Sequence, residues 1–332
     1  MDIYKYNSSR ISYIDIFKGI LIITVVLGHA TNSTRIVFWF HMPLFFVISG
    51  LLYEEPDEIF KWIIKKTKRY LIPCIFYFGL VSIFILHDMS VKNIIKFVYG
   101  GRIIGNVWWF TTCLLLTLII LTVLVKRTSK KASILIIVVC YIIGILESNL
   151  FILKDNIKFY SYINFPWNLD VCLISLIYLS IGYFGKEYIA KIPYKIKKEK
   201  LLFSSIAMII IIIVKLFDYL NIYNFELDMK YSHYTNPILV VIVPICFGYL
   251  FLLVSFYLDK TPLKKILSQI GRDSMAIMYL HVGMLTIFKN SFGDEEYKCI
   301  IYTIIAIMVS CVFSELVSRN KVTKKMYITG DF

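Results

Sequence analysis

The sequence predicts an all-α integral membrane protein, a bundle of about ten transmembrane helices with both termini cytoplasmic. Three observations carry that expectation. The chain is 58% hydrophobic, 16% aromatic and only 17% charged, whereas a soluble domain is nearer half apolar and a quarter charged. Apolar stretches that approach or reach the ~20 residues needed to cross a bilayer recur from end to end. Lysine and arginine gather in alternate connections between those stretches.

In order, the spans begin with ISYIDIFKGILIITVVLGHA, VFWFHMPLFFVISGLLY, YLIPCIFYFGLVSIFIL and WWFTTCLLLTLIILTVLV. A fifth, SILIIVVCYIIGIL, is the shortest and has the least defined boundary. LDVCLISLIYLSIGYF, LLFSSIAMIIIIIVKLF and ILVVIVPICFGYLFLLVSFYL follow, the last with Pro244 inside it, where a kink is expected. SMAIMYLHVGMLTIF and IIYTIIAIMVSCVFSELV complete the set.

A net charge of +14 would suggest nucleic-acid binding in a soluble protein. Its placement points to membrane topology instead. Most of the 36 basic residues lie at the two ends and in four connections: Lys61 to Arg69, Lys126 to Lys131, Lys186 to Lys200 and Lys260 to Arg272. The other connections carry more acid, as at Asp294 to Glu296. The positive-inside rule makes the basic side cytoplasmic, so odd-numbered helices run outward. No nucleic-acid partner is expected. The seven cysteines are scattered, mostly within spans, without a CxxC pair. They read as small buried groups, with no disulfide framework and no metal site. The first span holds Asp15 and Lys18 and lacks a small-residue cleavage site, so it reads as a retained helix. The expectation is one membrane-embedded domain over residues 1–332, with no appended soluble domain, in a bacterial plasma membrane.

Ionisable groups inside spans are costly and usually face a protein interior or a water-filled cavity. The first span has three: Asp15, Lys18 and His29. At ~100° per residue, Lys18 and His29 return to within ~20° of the same direction, and they stand ~16 Å apart along the axis. Asp15 lies one turn from Lys18, close enough to pair with it. One polar face therefore runs from the cytoplasmic end to the outer end. The alternative for Lys18 is simple snorkelling to the interface, with Asp15 as counter-ion. The second span opens FHMPLFFVISG. Pro43 falls in its first turn, where a missing N–H costs little. Ser49 and Gly50 are small enough for close helix approach. His41 begins this helix across a short turn from His29, at the same membrane level.

These residues resemble the acyltransferase-3 superfamily of integral membrane acyltransferases. IDIFKGILIITVVLGH is similar to the family's first helix and FHMPLFFVISGLLY to its second. KKTKRYLIP, VWWFTTCLL, YLSIGYFGK and GRDSMAIMYLHVGML resemble later family segments in the same order. The Lys-Gly and Leu-Gly-His variants look most like the branch resembling fucose 4-O-acetylases. The resemblance implies transfer of an acyl group, usually acetyl, from cytoplasmic acyl-CoA to a hydroxyl of a cell-surface glycan or its lipid-linked precursor. Acetyl-CoA is then a substrate, and no tightly bound cofactor is expected. Two positions depart from the commoner family pattern. Lys18 stands where arginine is frequent, and Lys66 replaces the first member of an Arg-x-x-Arg pair ending at Arg69. Lysine keeps the charge and lacks the planar bidentate fork.

On that reading, Lys66, Lys68 and Arg69 hold the coenzyme phosphates at the cytoplasmic mouth of the third helix. Basic residues there also serve topology and anionic lipids. Lys18 guides the donor further in, towards His29. An imidazole titrates near neutrality and takes the proton of an attacking hydroxyl, so His29 is assigned as general base. His41 either orients the acceptor, stabilises the charged intermediate, or only starts its helix. Asn106, Trp109 and Asp170 fall at the outer level and suit a sugar acceptor. For Trp108 and Trp109 the competing reading is the interfacial aromatic belt. Ser49 and His281 complete the polar core, His281 as a hydrogen-bonded core histidine. A polytopic transporter or flippase of a glycan intermediate, without acyl transfer, is the alternative; no inverted repeat with paired broken helices supports it.

Overall fold

The structure is a computed structural model that describes residues 11–31, 35–84, 89–100, 107–154 and 165–324. All ten apolar stretches are helical within it. They form α1 (Ser12–Ala30), α2 (His41–Leu51), α3 (Ile59–Phe84), α5 (Trp108–Arg127), α6 (Lys130–Lys154), α7 (Leu169–Phe184), α9 (Lys197–Tyr219), α10 (Leu239–Leu258), α12 (Ser274–Phe292) and α13 (Cys299–Ser318). The chain is an all-α integral membrane protein. Eight of these helices are long and apolar enough to cross a membrane. The other two are α2, only 11 residues long, and α12, which is long enough but carries His281, Lys289 and Asn290. The fifth stretch, read as the shortest, is the longer helix Lys130–Lys154. The helix continues past the apolar run at both ends, from Lys130 and on to Lys154, since lysine, leucine and glutamate are good helix formers.

Four short helices lie outside the expected spans: α4 (Val91–Tyr99), α8 (Lys186–Lys191), α11 (Leu263–Arg272) and α14 (Lys321–Lys324). Amphipathic α4 and α11 are too short and too charged to register as spans. Ser90 caps α4 by accepting from the Asn93 amide. Between α9 and α10 the chain makes a small antiparallel hairpin, β1 (Leu227–Asp228) with β2 (His233–Tyr234). Two-residue strands leave no alternation to read, so the sequence presents this segment as plain loop.

Small residues set the closest helix crossings, as membrane bundles require where lipid supplies no hydrophobic drive for association. Gly19 of α1 packs on the Leu267 carbonyl of α11, and Gly271 of α11 packs on the Asp15 carbonyl of α1. Gly50 of α2 and Gly182 of α7 make the same reciprocal fit. Many hydroxyls within the bundle are satisfied locally. Ser49, Thr117, Thr122, Ser175, Ser180 and Ser310 each donate to the carbonyl four residues earlier, which removes an unpaired donor from an apolar interior.

Among the eight long apolar helices, α1, α5 and α7 are the most buried and α3, α6 and α9 the least. The most apolar part of α5 is 67% buried, against 17% for α9, whose Leu201, Ile209 and Ile212 are exposed on the outside of the bundle. Aromatic stacking ties α3, α5 and α12 together: Tyr279 stacks on Tyr77 at 4.9 Å and on Trp108 at 5.3 Å. The Tyr279 hydroxyl is 2.8 Å from that of Thr111. Pro244 sits inside α10 without ending it, since the helix runs continuously from Leu239 to Leu258.

Candidate functional site

At the end of the bundle where α1 finishes, a cavity of about 240 Å³ opens among six segments, one of them α12 through Met278. The last turn of α1 supplies His29, and the 3₁₀ turn Arg35–Trp39 supplies Phe38. His41 enters from the first position of α2, and Trp109 and Phe110 from the first turn of α5. The tip of the hairpin closes the space with Asp228, Lys230 and Tyr231. His29 and His41, separated in sequence by a turn, therefore share one chamber.

Each imidazole is held differently. His41 is 2% exposed, and its Nδ1 meets the Val37 carbonyl oxygen one turn back. A carbonyl can only accept, so Nδ1 carries the proton and Nε2 keeps the lone pair. The same argument fixes His281 of α12, whose Nδ1 lies 2.8 Å from the Ile277 carbonyl oxygen. His29 makes no hydrogen bond to another described residue. Its ring lies edge-on to Phe38 at 6.2 Å and tilted against His281 at 5.1 Å. Phe38 in turn stands 5.2 Å from His41. His281, read from the sequence as a core histidine, is buried as that reading requires, yet it packs directly behind the cavity histidine.

Hairpin residues were not among the sequence candidates. Asp228 Oδ1 accepts the amides of Lys230 at 3.0 Å and Tyr231 at 3.3 Å, which builds a compact turn. Burial raises the Asp228 carboxyl above its ordinary range, opposed by the two amides and by the Lys230 charge. A run such as ELDMKYSHY between two spans holds the chemical types of a site, but nothing local shows that it folds back over α1.

The remaining candidates divide. Trp109 lines the cavity, whereas Trp108 is committed to the Tyr279 stack. Asp170 is buried in the first turn of α7, and Ser232 donates to its Oδ2 at 3.1 Å. It braces the hairpin rather than lining the chamber. Ser49 is bonded within its own helix at 2.7 Å, beside the Gly50 crossing. Asn106 lies outside the described residues. Among the described residues, no three His, Cys, Asp or Glu side chains converge to hold a metal ion.

At the opposite end, Lys18 pairs with buried Asp15 at 2.8 Å. Lys66 lies over the Trp62 ring at 5.5 Å, while Lys68 and Arg69 point outward and are exposed. A larger cleft of about 620 Å³ lies at this end between α5, α6, α7 and α8, lined by Glu55, Lys130, Lys186 and Tyr188 among others. None of Lys18, Lys66, Lys68 and Arg69 lines it, and it shares no residue with the histidine cavity. Lys18 and His29 thus stand at opposite ends of α1.

Compared with known families, the chain matches the family model described as an acyltransferase domain over residues 11–319. No curated protein matches it.

Proposed function

Because the chain belongs to the acyltransferase-3 family of membrane acyltransferases, we propose that it moves an acetyl group from acetyl-CoA to a hydroxyl of a cell-surface or lipid-linked glycan, with His29 as general base. The observation that carries the reading is the position of His29. It is an imidazole on the wall of a cavity, without a hydrogen bond to another described residue, at the far end of a helix whose near end holds Lys18.

The chemistry follows from that placement. His29 takes the proton of the acceptor hydroxyl while its oxygen attacks the thioester carbonyl, an assistance typically worth ~10²–10⁴-fold. The tetrahedral intermediate collapses as the carbon–sulfur bond breaks, and the proton on His29 passes to the departing thiolate. His41, with Nδ1–H committed to Val37, offers a lone pair at Nε2. That suits accepting from a second acceptor hydroxyl rather than donating to an oxyanion, so His41 orients the acceptor. Trp109 offers an apolar ring beside these polar groups, a surface suited to the C–H face of a sugar.

The donor arrives from the Lys18 end, in this proposal the cytoplasmic one, with ten passes and both termini inside. Lys66, Lys68 and Arg69 gather its phosphates, and Lys18 draws the chain of the coenzyme along α1. The histidine cavity and the cleft at the other end are separate, so the thioester reaches His29 only when helices between them part. Placement in a bacterial plasma membrane and a fucose 4-O-acetylase-like specificity belong to the same proposal.

Purified protein incubated with radiolabelled acetyl-CoA and bacterial envelope membranes tests the reading. Label is expected in the glycan fraction, and slowly in acetate when acceptor is withheld. Label left entirely on the coenzyme would remove the acyl-transfer reading and favour a transporter.

A further inference from the structure

His281 is not used by the reaction above, yet its surroundings are unusual. It is fully buried in α12, with Nδ1 donating to the Ile277 carbonyl at 2.8 Å. That bond leaves Nε2 as an acceptor. Nε2 is buried and has no hydrogen-bond partner among the described residues. A buried acceptor left unmade is unfavourable, and an apolar side chain would fill the same space without that penalty. The ring that lies against it is His29, with centroids 5.1 Å apart. That separation is what two imidazoles joined by an N–H···N bond would show, since a bond of about 2.9 Å adds to the two ring radii.

We propose that His281 is the positioning residue of the general base: its Nε2 accepts an N–H from His29 and so turns the lone pair of His29's other nitrogen into the cavity. A turn of the His29 ring about its terminal torsion makes the bond, a soft motion for an imidazole. The arrangement does two things. It selects the tautomer of His29 that can act as a base on the cavity side. It also keeps an acceptor against the imidazolium that forms when the acceptor hydroxyl gives up its proton. No proton passes to His281. The hydroxyl O–H bond breaks, an N–H bond forms on His29, and the same proton later leaves with the thiolate.

This inference rests on His29 being the general base. The test measures kcat and KM for radiolabelled acetyl-CoA in lipid nanodiscs, with bacterial envelope membranes as acceptor, for wild type, His281→Phe and His281→Gln. His281→Phe is expected to lower kcat about 10–100-fold, by analogy with loss of the hydrogen-bond partner that orients a metal-bound histidine, with KM for acetyl-CoA nearly unchanged. His281→Gln, whose amide oxygen can accept the same N–H, is expected to recover most of the loss. Equal kcat for wild type and a folded His281→Phe protein would overturn the proposal, as would glutamine performing no better than phenylalanine. If phenylalanine prevents folding, His281→Leu replaces it, and equality of leucine and glutamine variants counts against the proposal. A wild-type protein that moves no label instead overturns the acyl-transfer reading itself, a result distinguishable from either.

Discussion

Gly50 of α2 and Gly182 of α7 face each other across a crossing with no room for a side chain: a Cβ on Gly50 would overlap the Leu179 carbonyl, and one on Gly182 would overlap the Val47 carbonyl. This contact fixes more than packing. Helix α2 is only 11 residues long and begins with His41, so the crossing on α7 sets where that imidazole stands. The obstacles are backbone atoms, which move only if the whole helix moves.

Gly182→Ala should therefore lower the melting temperature, and Gly182→Leu should lower it further. Overpacking of this kind costs about 1–3 kcal/mol where neighbours can adjust, and a rigid backbone leaves less adjustment. Thermal unfolding in detergent followed by size-exclusion chromatography measures it. An unchanged melting temperature for both variants would mean that the helices are not in contact.

His29→Ala should abolish acetyl transfer while leaving expression and melting temperature close to wild type. The side chain is partly buried at the edge of a cavity, so its removal enlarges that cavity rather than opening a sealed void in the core. The expected loss is ~10²–10⁴-fold in kcat. Near-normal transfer by a folded His29→Ala protein would contradict the base assignment.

The contrast between these residues shows how much of the molecule was legible beforehand. Helix positions follow from local composition, and each apolar stretch became a helix because apolar length is a property of neighbours in sequence. The pairing of Asp15 with Lys18 was legible for the same reason, being one turn apart. His29 and His41 line one cavity, and the short turn that links them makes that proximity legible. His281 was not joined to them, because only the packing of α12 on α1 brings it there. Asp228 and Lys230 were missed for a related reason: nothing in a polar connection shows that it folds inward over a cavity. Asp170 stands out in the sequence as a costly carboxylate within a span, but Ser232, which donates to it, lies on the hairpin and is invisible from α7 alone.

The donor end yields a third expectation. Lys66→Ala combined with Arg69→Ala should raise the KM for acetyl-CoA about 10-fold or more, as loss of charge-assisted phosphate contacts does, with kcat little changed. Lys66 lies over Trp62, whose ring is edge-on to Tyr53, so a second variant separates charge from packing. Lys66→Met keeps the apolar stem over the ring and should reproduce the KM defect of the alanine at that position. Initial rates across a range of acetyl-CoA concentrations decide the matter; a change confined to acceptor dependence would place the phosphates elsewhere.

Asp228 gives a prediction in pH. Burial is the main cause that raises its carboxyl above the ordinary aspartate value of 3.8, so the folded protein holds this proton more tightly than the unfolded chain does. Between the unfolded and folded values the native state binds more protons, and stability falls as pH rises through that window. Above the folded value the full cost of a buried charge is present. Asp228→Asn removes the charge and keeps an oxygen that can accept the Lys230 and Tyr231 amides, so the turn survives. The variant should then match wild type in melting temperature below the ordinary aspartate range and exceed it near neutrality, with the gain appearing just above pH 3.8. Melting curves of both proteins from acid to neutral pH supply the difference directly. A gain of equal size at every pH would mean that the charge of Asp228 is not the cause, and a loss near neutrality would mean that Lys230 repays its burial in full.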